Sequence, residues 1–329
     1  MNRLVLVVSL FLTSMSGVSR ATAQSNWAER LGFPAGGRVV ILHGNEVGLA
    51  YEFSRPVQQA LEDGVLTSAS VSPVGPWFPE SADWAKSQSD ADVGITLTFV
   101  IPSDVIGCRP VSSREEVGSL TNADGYLPRT LLQFTVRADA DQVRHEAESQ
   151  IRHARAAGIQ PTHLHPHLGA ILTRPELMRT YLDLAVEHWI PAVMVDMTPA
   201  LIARFRERGI DLDDETIEII ANYPLPKLDD IKDIPAAETY EEKRENLFRV
   251  LSELEPGITQ IFLHPADDTP GIQRLCDTWE QRIWESQLLN DPEVRKFLQE
   301  QNLIFTNWRD IMRRFESIHN ATDAEDEGE

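Results

Sequence analysis

The chain has little cysteine and too few basic side chains to balance its acidic ones. Its two cysteines, Cys108 and Cys276, belong to no CxxC motif, which argues against a thiolate metal site, and the sequence leaves open whether they pair. Lysine and arginine number 30 against 51 aspartates and glutamates, giving a net charge of −21. Because phosphate contacts need clustered basic residues, we expect no nucleic-acid partner and no docking on an anionic membrane surface.

Long apolar runs are missing beyond the first 23 residues. A membrane-spanning helix needs ~20 consecutive apolar residues, so we predict no span in the mature chain. Residues 1–23 instead have the three parts of a secretory signal peptide: Arg3, the apolar run Leu4–Leu12 and a small-residue cleavage site at Ala21-Thr22-Ala23. We therefore predict a protein that is exported, to the periplasm or the cell exterior, after cleavage near Ala23.

Internal repeats, heptads and low-complexity linkers are absent as well. We predict one domain over residues 24–318, followed by an acidic, disordered tail over residues 319–329. Apolar runs alternate with helix signals, and strands are expected at residues 38–43, 68–74, 93–99, 162–167, 192–195, 217–220, 259–264 and 303–306. Repeated βα units imply a parallel sheet. The predicted fold is α/β, a single TIM-like (β/α) barrel with parallel strands and outer helices; a doubly wound sheet is the alternative.

Three histidines of the fourth predicted strand give the sharpest chemical signal. His163, His165 and His167 recur at every second residue, so an extended chain points all three to one face. Imidazoles with a carboxylate such as Glu46 suit zinc or a similar ion. A polar barrel interior, in which each histidine finds a hydrogen bond, is the other interpretation. His264 ends another strand, where it could donate a proton to a leaving group or cap the strand.

Several further motifs occur in a fixed order: Asp92-Val93-Gly94-Ile95, Asp124-Gly125-Tyr126, Thr162-His163-Leu164 and His264-Pro265. With these motifs the chain resembles the YdjC-like carbohydrate deacetylases of the ChbG/HpnK group, from about residue 27 to residue 311. The resemblance implies a (β/α) barrel that uses a divalent metal, zinc or magnesium, to remove the N-acetyl group of an amino sugar. It further implies that a metal-bound water attacks the amide carbonyl, that an aspartate is the base and that a histidine protonates the leaving amine.

The chain departs from the family pattern at the residues that this chemistry needs. Asn45 replaces the family's base and cannot accept a proton, and Glu46 replaces a ligand aspartate. Thr96 stands where the family has a ligand histidine, and a neutral hydroxyl competes badly with water for a metal. His165 replaces an aspartate, and only His167 is an unchanged ligand.

Two interpretations of the predicted site follow. In the first, a rearranged deacetylase of impaired activity uses Glu46, His165 and His167 as metal ligands, His43 or His165 as base, and His264 as acid. In the second, the metal is absent and the chain is an inactive saccharide-binding or regulatory pseudoenzyme. Both interpretations give an acetylated amino sugar or oligosaccharide as the partner, and both leave open whether the chain forms a homo-oligomer.

Overall fold

The computed structural model describes residues 25–207 and 212–326, with side chains as far as residue 320. The predicted signal peptide, residues 1–23, lies outside the described residues, and so do the last three residues of the predicted tail. Export from the cell therefore stays a prediction.

Seven strands and thirteen α-helices make up the described part of the chain. The strands are β1 (Arg38–Val47), β2 (Ser68–Val71), β3 (Val93–Leu97), β4 (Leu164–Pro166), β5 (Asp230–Asp233), β6 (Gly257–Leu263) and β7 (Ile304–Phe305). The helices are α1 (Trp27–Arg30), α2 (Tyr51–Glu62), α3 (Phe78–Ser87), α4 (Leu131–Arg137), α5 (Ala140–Ala156), α6 (Pro175–His188), α7 (Pro199–Glu207), α8 (Asp214–Ala221), α9 (Tyr240–Ser252), α10 (Ile272–Leu275), α11 (Trp279–Asn290), α12 (Pro292–Glu300) and α13 (Trp308–Asp326).

All described strand pairs are parallel, as the alternation of strands and helices predicts. The sheet has the order β4-β3-β2-β1-β6-β5, and β7 pairs with β1 beside the main path. The sheet curves into a half-barrel that helices surround, and it is open between β4 and β5. The α/β class with parallel strands is confirmed, whereas the closed TIM-like barrel is not.

The opening lies where the sequence predicts a strand at residues 192–195. This segment makes only single bridges, Leu164 with Ala192 on one side and Val195 with Leu228 on the other. The Ala192 N–H donates to the Tyr223 hydroxyl at 2.8 Å rather than to a neighbouring strand, and the preceding proline has no N–H to offer. Backbone hydrogen bonds still join the segment to both neighbours, from the Val193 N–H to the Leu164 carbonyl and from the Leu228 N–H to the Met194 carbonyl, but they do not extend into a continuous ladder.

Besides residues 192–195, which form no continuous strand, the predicted strand at residues 217–220 is wrong. Residues 217–220 lie in α8, which begins after Asp213 because that side chain accepts a hydrogen bond from the Thr216 N–H at 2.6 Å. Thr216, Ile219 and Ile220 are the buried residues of α8, and their spacing of three and four matches one face of a helix. The short apolar run was compatible with either structure, and the cap together with this spacing decided for a helix.

Helix α5 illustrates how the outer layer attaches to the sheet. It begins after Asp139, whose side chain accepts from the Gln142 N–H at 3.1 Å. Val143, Ala147 and Ile151 follow at intervals of four, and all three are fully buried. Burying a valine or isoleucine side chain stabilises a fold by about 1.5–3 kcal/mol. Packing of this face, more than helix propensity, therefore holds α5 in place.

Residues 102–129 form a long loop that contains no strand and only a three-residue 3₁₀-helix, Gly118–Leu120. The carboxylate of Glu146 on α5 fastens this loop by accepting from the N–H groups of Val111 and Ser112, both at 2.9 Å. Glu146 is fully buried. These two backbone donors and the side-chain amide of Gln150, which donates to Glu146 Oε1 at 2.9 Å, satisfy the buried carboxylate in place of a cation.

The last described helix extends into the predicted acidic tail, whose disorder stays a prediction. Helix α13 continues to Asp326, so residues 319–326 are helical in the structure. Alanines among these residues favour continuation of the helix, and the acidic side chains do not prevent it. The boundaries of the predicted domain itself stay a prediction. Within the described residues, no helix combines the length and the apolarity that a membrane span requires.

Candidate active site

The end of β1 delivers two predicted site residues through an irregular backbone. The pairing of β1 with β2 shifts register between Gly44 and Val47. Glu46, inside this bulge, has a φ of 66°, in the left-handed region that side chains other than glycine rarely adopt. A bulge of this kind re-aims a side chain, and the strained backbone is a feature that concentrates at functional sites. The bulge turns Glu46 toward the carboxyl ends of the neighbouring strands.

Six of the seven predicted site residues line one cavity of about 450 Å³ at the carboxyl ends of the strands. The polar lining consists of Asn45, Glu46, Thr96, His165, His167, Asp233 and His264. The apolar lining consists of Pro166, Leu168, Leu172, Val193, Met194, Val195, Met197, Phe205, Ile231 and Phe262. A largely apolar cavity with a few convergent polar groups is typical of a small-molecule site. Asp233 and the apolar wall were not predicted from the sequence.

The carboxylate of Glu46 forms an ion pair with Arg282. The Nη1 atom of Arg282, on α11, donates to Glu46 Oε2 at 2.5 Å, and His167 Nε2 lies 3.6 Å from Glu46 Oε1. Burial would by itself raise the pKa of Glu46, but Arg282, His167 and His264 outweigh burial and hold that pKa well below its ordinary value. Burial lowers the pKa of Arg282 and Glu46 raises it by more, so both partners are charged.

Sequence reasoning missed Arg282. It lies 236 residues from Glu46 along the chain, inside an ordinary helix, and it belongs to none of the motifs that carry the family resemblance. No feature of the single sequence identifies it. Its guanidinium also lies over the Phe53 ring, 4.6 Å from the ring centroid, which fixes its position from a second side.

His167 and Thr96 differ in the groups that they offer to a ligand in the cavity. His167 Nδ1 bonds the Val100 carbonyl oxygen at 3.0 Å, so Nδ1 carries a proton. Its Nε2 is buried and has no hydrogen-bond partner among the described residues. This arrangement would suit a metal ligand. The Thr96 hydroxyl instead donates to Ser70 Oγ at 2.7 Å and supplies no charge.

The donor set does not fit a tightly bound divalent metal. Zinc sites in proteins use at least three protein ligands. Within the part of the chain that the structure describes, no three His, Cys, Asp or Glu side chains are grouped so as to hold an ion. Glu46 and His167 are two donors at a suitable separation, but the third position is Thr96, and Arg282 already neutralises the carboxylate. We therefore derive no metal-dependent step for this site.

Asn45, at the position of the family's base, and His264, the predicted acid, are hydrogen-bonded to each other. Asn45 Nδ2 lies 3.1 Å from His264 Nε2, and the amide either donates to the ring or, if reversed, accepts from it. In neither orientation can Asn45 remove a proton from water. His264 is anchored at its backbone, because its N–H donates to Glu285 at 2.6 Å and Glu285 pairs with Lys243 at 2.8 Å.

The two histidines considered as substitute bases are unfavourably placed for that role. His43 is fully buried, its ring nitrogens bond Ser68 Oγ and Ser70 Oγ at 3.0 Å each, and it does not line the cavity. Burial, followed by His163 and His165, lowers its pKa well below the ordinary value. Burial, followed by His167, lowers the pKa of His165 to about 3. A side chain with such a low pKa is a weak proton acceptor and therefore a poor general base at neutral pH.

The parallel half-barrel, with a largely apolar cavity and a few polar groups at the carboxyl ends of its strands, defines an α/β protein. The chain belongs to the YdjC-like protein family, whose model matches residues 39–300. The family resemblance that the motifs carry is thereby confirmed.

Two curated relatives share this family. A carbohydrate deacetylase of Thermoanaerobacter pseudethanolicus is 26% identical over 82% of this chain and 98% of its own length. A carbohydrate deacetylase of Enterococcus faecalis is 22% identical over 83% of this chain and 97% of its own length. The crystal structure of a proposed cellobiose-phosphate cleavage protein from Enterococcus faecalis is 21% identical, covers 83% of this chain and 98% of its own, and has a TM-score of 0.66. At this identity the structural likeness supports the fold.

Proposed function

We propose that this chain binds an N-acetylated amino sugar or oligosaccharide in the cavity and that it is a pseudoenzyme for metal-dependent deacetylation. The family and the carbohydrate deacetylases among its relatives support the choice of ligand. The ion pair between Glu46 and Arg282 is the observation that carries the loss of activity. It occupies the carboxylate that the family resemblance assigns to the metal.

The base position supports the same proposal. A positioned general base contributes roughly 10²- to 10⁴-fold to a rate. Asn45 has no group that can take a proton at neutral pH, and its amide is bonded to His264. Restoring the base alone, by Asn45→Asp, therefore leaves acetate release undetectable, because the ligand set is still incomplete.

The test separates binding from hydrolysis. Purified mature chain is titrated with N-acetylated chitooligosaccharides in a calorimeter and is incubated with them for acetate release. We expect saturable binding and no acetate above that of a protein-free control. Val193→Trp fills the cavity wall and should abolish binding, whereas Val136→Trp, at an exposed position of α4, should not. Absence of binding to the native protein would refute the ligand assignment, and zinc-dependent acetate release would refute the pseudoenzyme.

A rearranged deacetylase is the second candidate. It is favoured by two buried ring nitrogens without partners among the described residues, His165 Nδ1 and His167 Nε2, both on side chains that line the cavity. With Glu46 they would make three ligands, provided that the His165 ring turns toward the other two. Metal content distinguishes the candidates. The rearranged site predicts about one zinc or magnesium ion per native chain and its loss in His165→Ala.

The proposed function includes export of the chain from the cytoplasm. We propose that residues 1–23 are removed and that the sugar ligand is met outside the cytoplasm, since the first residues have the pattern of a secretory signal. N-terminal sequencing of protein recovered from its native cell envelope should begin near Gln24. An intact Met1 in the cytosolic fraction would contradict this proposal.

A further inference from the structure

Arg282 is the cation closest to the cavity's only ligand-position carboxylate among the described residues, and its position raises a question about metal exclusion. Its side chain is 13% exposed and that of Glu46 is 11% exposed, so water screens the pair weakly. Glu285 on α11 accepts from the His264 N–H, directly after β6, so α11 is attached to the end of the sheet without Glu46. The ion pair of Arg282 with Glu46 is therefore not the only contact that attaches α11 to the sheet.

We propose that Arg282 takes the electrostatic place of a divalent metal: its guanidinium, paired with Glu46, keeps the cavity free of metal even when a third ligand is supplied. The inference deepens the proposed loss of metal-dependent chemistry but does not rest on sugar binding. Two features then each prevent metal binding: the missing ligand at Thr96 and the fixed positive charge of Arg282.

Charge explains why the two cations exclude each other. A metal held by Glu46 and His167 would bring two positive charges next to a guanidinium that already bonds the same carboxylate. An arginine cannot relieve this repulsion by losing a proton, in contrast to a lysine or a histidine. It could leave only by moving, and the contact of the guanidinium with the Phe53 ring and its burial oppose that movement.

The pair also explains how the strained bulge is tolerated without a metal. Glu46 is held in the left-handed region by its surroundings, and a buried carboxylate needs a positive partner. Arg282 supplies that positive partner through direct contact with Glu46 Oε2. Substitution of ligand residues alone, which leaves Arg282 in place, should therefore fail to restore a metal site.

The experiment compares four full-length mature proteins for zinc binding in the absence of sugar. They are the native chain, Thr96→His, Thr96→His/Arg282→Gln and Thr96→His/Arg282→Lys. Each is dialysed against micromolar zinc, and metal content is measured by mass spectrometry. Glutamine keeps a hydrogen-bond donor for Glu46 without the charge, and lysine keeps a cation that, unlike arginine, can lose its proton.

We expect about one zinc per chain in Thr96→His/Arg282→Gln, less than about 0.1 in the native chain and in Thr96→His, and an intermediate content in Thr96→His/Arg282→Lys, because a lysine, unlike an arginine, can lose its proton as the metal enters. Stoichiometric zinc in Thr96→His alone would overturn the proposal, and so would zinc-free but folded Thr96→His/Arg282→Gln, as judged by circular dichroism. If Thr96→His/Arg282→Gln does not fold, Thr96→His decides: full loading overturns the proposal, and an empty site that fills on adding Arg282→Met supports it.

The outcome is separable from that of the proposed function. Sugar binding to the native chain is measured by calorimetry without metal. Failure of the sugar titration leaves the zinc comparison unchanged, and a metal-loaded Thr96→His leaves the sugar titration unchanged. Arg55→Gln, which removes a different arginine–carboxylate pair with Asp267, should not alter zinc content in the Thr96→His background.

Discussion

The buried Glu146 of the outer helix α5 has hydrogen-bond partners, whereas several buried polar atoms of the cavity lack them. In α5 the first turn is capped by Asp139, an apolar row along the helix is buried, and the buried Glu146 has a partner for each oxygen. In the cavity, Asn45 Oδ1, His165 Nδ1 and His167 Nε2 have no partner among the described residues. Glu46 adds a strained backbone. The comparison indicates that α5 is shaped for stability and that the cavity keeps groups available for a ligand at a cost in stability.

The largest predicted effect on stability comes from breaking the ion pair of Glu46 and Arg282, in which a polar group of the cavity does have a partner. Arg282→Ala leaves a buried carboxylate without its cation, and breaking a buried pair in this way costs about 3–5 kcal/mol. Urea unfolding followed by circular dichroism measures the loss. The double change Glu46→Gln/Arg282→Met should recover most of it, since neither charge remains buried. A loss below about 1 kcal/mol would show that the pair is as weak as an exposed one.

Removal of core contacts from α5 should come next. Ile151→Ala deletes a fully buried side chain and should lower the free energy of unfolding by about 2–5 kcal/mol through lost burial and a residual cavity. Sugar binding, measured in the folded protein, should not change. Arg152→Ala, at the neighbouring exposed position, is the control and should cost no more than about 0.5 kcal/mol. Loss of sugar affinity in Ile151→Ala would mean that the two regions are coupled.

The pH dependence of stability tests the cavity alone. The pKa of Glu46 is well below its ordinary value in the folded protein, so its ion pair stabilises the fold above the unfolded pKa of about 4.3. That stabilisation is lost as the pH falls through the folded pKa. The unfolding free energy of the native chain minus that of Glu46→Gln/Arg282→Gln should therefore shrink between pH 6 and pH 3. A constant difference over this range would contradict the assigned direction of the pKa shift.

The smallest predicted effect concerns the cap of α5. Asp139→Ala removes the acceptor for the Gln142 N–H and should cost about 1 kcal/mol. Asp139→Asn, which can still cap the helix, should recover most of that cost. Thermal unfolding of the three proteins provides the measurement. Equal loss in both variants would attribute the effect to the negative charge near the helix end rather than to the cap.

Much of the fold could be predicted from the sequence, because it depends on local patterns. The apolar runs gave β1, β2, β3, β4, β6 and β7, since buried strands of a parallel sheet are continuous and apolar. Strand β5 has alternating half-buried and exposed residues and was missed. The run at residues 217–220 was too short for its periodicity to distinguish helix from strand. The predicted strand at residues 192–195 makes only single bridges, and its Ala192 N–H bonds the distant Tyr223 hydroxyl, a contact that no local pattern predicts.

The candidate site could be predicted only where strand ends place residues. Asn45, Glu46, Thr96, His165, His167 and His264 share one cavity because the carboxyl ends of parallel strands meet at one edge. His43 was grouped with them because it ends the predicted first strand, but β1 continues beyond it and leaves it beneath the cavity. The roles of all seven residues stay predictions.

The sequence by itself determined the α/β class, the family and the cluster of polar residues at the strand ends, because each depends on residues that are neighbours or recur at short spacing. Only the tertiary structure decided that the sheet is open, that Glu46 is strained and that Arg282 neutralises it. A charge pair between residues 236 positions apart has no periodicity and no motif. It exists because folding brings α11 over the end of β1, where burial makes an unpaired carboxylate costly.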